Sequence, residues 1–145
     1  MDANPYATPG AALDLPSTAV ASAPPLWNPD AAGAWSLLLT PIFGSVLVWR
    51  NWVSLAERSK ASSALLWLAL SVGVIAFAIL MNRGITIPYI ILWYFACQRP
   101  QTLYVKQRWG TTYPRKPWLV PILSTLGGIV LVSLAVGALQ EMWAR

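Results

Sequence analysis

Residues 64–81 and 118–139 contain no Asp, Glu, Lys, Arg or His. An uncharged apolar run of about 18 residues or more spans the ~30 Å hydrocarbon core of a bilayer as an α-helix, at about 1.5 Å per residue. In lipid no water serves the backbone amides, and a helix satisfies them within one segment. The two runs therefore predict an all-α, polytopic membrane helix bundle. Composition agrees: the 145-residue chain is 57% apolar and 10% charged, against about 25% charged in a soluble domain.

Two further apolar segments are expected. Residues 33–53 match a span in length but are interrupted by Pro41 and Gly44. They form either one kinked span or a re-entrant hairpin, and the kinked span is preferred. Trp35, Trp49 and Trp52 sit near its ends, as an aromatic belt would place them. Residues 85–98 are short for a span, with Pro88 in the first helical turn and Arg83 and Arg99 able to snorkel outward. The four segments together define a transmembrane domain over residues 31–145.

Residues 1–30 carry Pro5, Pro9, Pro16, Pro24, Pro25 and Pro29 and no Lys or Arg. Such proline density blocks helix and sheet hydrogen bonding, so a disordered Pro/Ala-rich tail is expected. It lacks the basic region and apolar core of a secretory signal. Arg50, Arg58 and Lys60 flank one loop, residues 54–63, and Arg99, Lys106, Arg108, Arg115 and Lys116 fill another, residues 98–117. Four spans put both loops on the cytoplasmic side and leave Arg83 and Arg145 opposite, as the positive-inside bias requires. The tail, free of basic residues, is then expected on the periplasmic side.

The inventory excludes several chemistries. With no His and one Cys, the chain cannot build disulfides, Cys/His zinc sites or Ser-His-Asp triads. No ionisable side chain lies centrally in a segment, which argues against proton-coupled transport. Glu57 and Glu141 fall at opposite ends and form no acid/base pair. The expectation is a non-enzyme with no catalytic residues, no cofactor and no metal.

Two sets of residues are candidates for contacts. Ala69, Gly73 and Ala76 on the second segment, and Ser124, Gly128, Ser133 and Gly137 on the fourth, repeat small side chains at helical spacing. These faces either pack on each other within the monomer, the simpler expectation, or receive a membrane-embedded partner or a second copy. In the loop, Arg99, Lys106, Arg108, Arg115 and Lys116 are interleaved with Tyr104 and Trp109. A short interfacial helix over residues 102–109, stopped by Gly110, would present these cations to lipid headgroups. Lipid contact and orientation account for that charge without nucleic acid. Cys97 reads as a small core hydrophobe, with acylation the alternative. Asn28-Pro29-Asp30 reads as a turn and helix N-cap.

The stretches NPYATP (residues 4–9), LWNPDAAGAWSLLLTPIFG (26–44) and YVKQRWGTTYPRKPW (104–118) resemble small, poorly characterised multipass inner-membrane proteins of proteobacteria. In size and class the chain is also similar to membrane immunity proteins of toxin–immunity pairs. That resemblance implies neutralisation of a membrane-targeting, pore-forming toxin through helix–helix binding in the bacterial inner membrane. The alternatives are an accessory or assembly subunit of a larger membrane complex, or a small homo-oligomeric channel or lipid-handling protein.

Overall fold

The computed structural model describes residues 22–81 and 84–143; the expected tail up to residue 21 lies outside them. Most of those residues are helical, in the order α1 (Pro29–Leu38), α2 (Pro41–Ser54), α3 (Arg58–Met81), α4 (Thr86–Trp93), a π-helical turn (Tyr94–Gln98), α5 (Arg99–Trp109) and α6 (Leu119–Trp143). Two of them, α3 and α6, are long and apolar enough to cross a membrane. The all-helical expectation holds, and among the described residues two helices, not four, meet that length and composition.

The first expected span is broken into an antiparallel hairpin. Pro41 pushes the residue before it out of the helical region, and Thr40 is accordingly extended, at φ −173° and ψ 158°. The Thr40 Oγ1 then accepts from Phe43 N at 3.2 Å, so the break doubles as the N-cap of α2. The chain folds back until Trp27, ahead of α1, reaches Asn51 near the end of α2: Trp27 N donates to Asn51 Oδ1 at 3.0 Å. The structure thus takes the hairpin form rather than the kinked one. Asn28 caps α1 as expected, its Oδ1 accepting from Asp30 N at 3.1 Å.

Residues 23–30, assigned by sequence to the tail, are packed. Leu26 and Trp27 are buried, and Leu26 forms a parallel bridge with Arg115, its N donating to Pro114 O at 3.0 Å while its O accepts from Lys116 N at 2.9 Å. These residues therefore share one end of the molecule with both basic segments, instead of lying opposite them. The hairpin is the reason: it returns the chain to the end it started from.

The third segment is helical over nearly its expected length, and the helix expected over residues 102–109 is present. What differs is the join: α4, the π turn and α5 follow one another with helical dihedrals at each junction, so residues 98–101, expected in a loop, are helical too. The π turn, with Arg99 N bonded back to Tyr94 O, ends two residues before Pro100, whose missing N–H disturbs the regular ladder. Gly110 ends α5 at φ 60°, the stop expected of it.

The interior is mostly apolar, in two clusters around Val48, Trp52 and Trp93 and around Trp27, Phe43 and Leu47, but it also encloses several polar side chains. Ser36, Ser45, Asn51, Ser71, Gln98 and Gln101 are fully buried, while Leu38, Leu80 and Ile87 are 76%, 78% and 71% exposed. In lipid, where tails are as apolar as Leu, close packing of small side chains and interhelical hydrogen bonds hold helices together. Gly44 shows how close the approach is. A Cβ there would collide with Ser36 Oγ and come within 2.6 Å of Trp93 Cζ2. α6 has no buried residue and meets the body through Trp118 and, near its start, Ile122, which pack beside Trp27, Phe43 and Leu47.

Candidate functional site: a polar spine and a cationic aromatic end

Two hydrogen-bonded clusters tie the body together. In the first, Trp93 Nε1 donates to Ser45 Oγ at 2.8 Å. Ser45 Oγ lies 3.3 Å from Ser71 Oγ, which lies 2.7 Å from Tyr89 Oη. This links α2, α3 and α4 through side chains alone. In the second, Asn51 Nδ2 donates to Trp27 O at 2.8 Å and Gln101 Oε1 at 3.1 Å, and Gln101 Nε2 donates to Val48 O at 2.8 Å. Gln98 Nε2 donates to Pro29 O, and Gln98 Oε1 has no partner among the described residues.

Sequence reasoning missed this spine. A signal existed in Gln98, Gln101, Thr102 and Val105, all buried at i, i+3, i+4 and i+7. Starting the expected helix at residue 102, and leaving Gln98 and Gln101 in a loop ahead of it, hid that helical spacing.

The expected headgroup cations gather at the same end, each held by an acceptor or a ring. Lys106 pairs with Asp30 at 2.9 Å, with both side chains half exposed. Lys116 Nζ donates to Ser54 Oγ at 3.0 Å and lies 4.4 Å from the Trp27 ring; burial, then the Arg50 charge, lower its pKa from the ordinary lysine value. Arg115 stacks over Tyr113 at 5.8 Å and Arg99 over Phe95 at 5.4 Å. Arg108 donates to Tyr104 Oη at 3.0 Å.

The densest part is a cage that includes Lys60, which was not among the expected contact residues. Lys60 Nζ lies 4.0 Å from the Tyr104 ring centroid and 4.9 Å from that of Trp52. It also pairs with Glu57 at 3.5 Å. The two rings meet edge to face at 5.1 Å, and Tyr104 Oη donates to Glu57 Oε1 at 2.7 Å. That hydrogen bond, aided by the charges of Lys60 and Arg108, holds the Glu57 carboxyl below the usual carboxylate range, and it raises the Tyr104 phenol. A Schellman turn aims Glu57 into the cage: Glu57 N bonds to Trp52 O at 3.1 Å and Ala56 N to Val53 O at 3.0 Å. It places Ala56 at φ 57°, a left-handed conformation that ordinarily favours glycine.

The small-residue candidates are not brought together. Ala69, Gly73 and Ala76 on α3 and Ser124, Gly128 and Ser133 on α6 are exposed, and Gly137 is half-buried. A Cβ at Gly73, Gly128 or Gly137 would meet nothing within 4 Å. Among the described residues the expected packing of the second segment against the fourth is therefore not seen; α3 packs instead against α2 and α4. Among the described residues no group of three or more His, Cys, Asp or Glu is placed to hold a metal ion. Cys97 is buried and unpaired with another Cys. Comparison of the chain with protein-family models, curated proteins and solved structures finds no match.

Proposed function

We propose that this chain is a non-enzymatic integral protein of a bacterial inner membrane that acts by binding another membrane-embedded protein. In its most concrete form it is an immunity protein that engages a membrane-inserting toxin laterally and blocks its assembly. The observation that carries this reading is α6: 25 residues, apolar, and with none of them buried. Its Ser124 and Gly128 face is open to close backbone approach, the feature by which membrane helices associate. The many large apolar side chains exposed on the body support residence in lipid, since such an exterior in water would be an aggregation hazard.

The test deletes this gene alone and together with its neighbour, then scores survival and membrane potential in dense co-culture with the parent strain. Death of the single mutant, rescued when the parent lacks the neighbouring toxin, is the expected result. Full survival refutes immunity and transfers the binding role to an accessory subunit, whose partner cysteine crosslinking from α6 would then identify.

A further inference from the structure

A cavity of about 180 Å³ opens beside the Lys60 cage, between the first turns of α3 and the π turn before α5. Its walls are small where they need to be: Ala64 on α3, and Ala96 and Cys97 on the π turn. The irregular turn and Pro100 stand at the point where the helix borders the cavity, and π turns recur at functional sites. Trp67 lines the apolar recess, and Trp52 and Tyr104 are shared with the cage. About 150 Å³ suffices to admit a benzene-sized apolar group, so the recess takes a short stretch of hydrocarbon.

The rim is cationic. Lys60 borders the cavity, and Arg108 is attached to it through Tyr104 Oη at 3.0 Å. Between these two cations stands one carboxylate, Glu57, whose ion pair with Lys60 is long at 3.5 Å. The cluster thus keeps net positive charge. It lies at the start of α3, the helix that crosses the bilayer in the reading above, and hence at headgroup depth.

We infer that this cavity binds one anionic phospholipid, its phosphate at Lys60 and Arg108 and the start of an acyl chain in the recess between Trp67 and Cys97. The inference rests on the membrane reading proposed above. It differs from general headgroup contact in requiring a shaped recess and a cation outside the α5 segment.

Native mass spectrometry of the full chain, purified in detergent and titrated with phosphatidylglycerol, phosphatidylcholine of the same acyl chains, or inorganic phosphate, tests it. The expected result is retention of phosphatidylglycerol at about fivefold lower concentration than phosphatidylcholine, with Lys60→Gln removing the preference. Ala96→Phe, at an exposed position on the mouth, fills the recess and weakens retention with both cations intact. Equal retention of the two lipids by the native chain, an unchanged preference in Lys60→Gln, or unchanged retention by Ala96→Phe overturns the site. Displacement of the lipid by inorganic phosphate at matching concentration overturns the lipid in favour of a free anion. Preference for phosphatidylcholine overturns it in favour of the rings as a choline cage. If Lys60→Gln fails to fold, Ala96→Phe and the phosphate arm decide. Loss of the native chain from carbonate-washed membranes refutes the membrane reading itself, whereas membrane retention without lipid preference refutes this site alone.

Discussion

Gly44→Ala tests the central claim about the fold, that α1, α2 and the α4–α5 helix converge on one backbone position. In an isolated helix the substitution is favourable by about 1 kcal/mol, because alanine restricts the unfolded chain and suits the helix. Here the added methyl collides with Ser36 Oγ and lies 2.6 Å from Trp93 Cζ2. Ser36 and Trp93 are both fully buried, and Trp93 is tethered by its bond to Ser45 at 2.8 Å. The indole cannot withdraw without breaking that bond. Overpacking costs about 1–3 kcal/mol and the lost hydrogen bond about 1 kcal/mol, so the net effect is destabilisation by about 1–3 kcal/mol.

Thermal unfolding in detergent, followed by tryptophan emission, should show Tm lowered by roughly 3–10 °C. Gly128→Ala is the matched control: its methyl meets nothing within 4 Å, so helix propensity alone operates and stability holds or rises by up to about 1 kcal/mol. A Gly44→Ala variant as stable as that control would refute the hairpin packing.

Three further outcomes are expected. Asn51→Leu strands Trp27 N, Trp27 O and Gln101 Oε1 and should cost about 2–4 kcal/mol; amide exchange at residues 26–30 should rise, and unchanged protection there would contradict the docking of that segment. Because the folded-state pKa of Glu57 is depressed, its contribution is present above the ordinary carboxylate value and lost as pH falls through the folded one. Acidification should therefore loosen the Trp52–Tyr104 contact, seen in emission at low ionic strength, and Glu57→Gln should abolish the pH response; a response that persists points to another group. Gly128→Leu should leave Tm unchanged, since none of the described residues meets a side chain at that position, and should abolish partner capture; a lowered Tm would place a contact there within the monomer.

Local chemistry was legible in the sequence wherever it stays within one segment. The uncharged runs of α3 and α6 announce helices long and apolar enough to cross a membrane, because a helix in lipid closes its own hydrogen bonds. Asn28 before Pro29 fixes the start of α1 and Gly110 the end of α5, since caps and left-handed stops act on neighbouring residues. The same sequence placed a break at Pro41 but left its form open: a kink and a hairpin satisfy the same local geometry. Contacts between distant residues decide for the hairpin, through Trp27 on Asn51 and Ser36 against Gly44. Lys60 entered the cage by the same route. On the sequence it is one basic residue in a loop, and only the approach of α5 brings Tyr104 and Arg108 to it and Glu57. The uncovered state of α6 is likewise tertiary. A small-residue face suits any neighbouring helix equally, so pattern alone cannot distinguish a neighbour within the chain from one outside it; α2 and α4 pack against α3, and no described residue comes within 4 Å of a Cβ at Gly128.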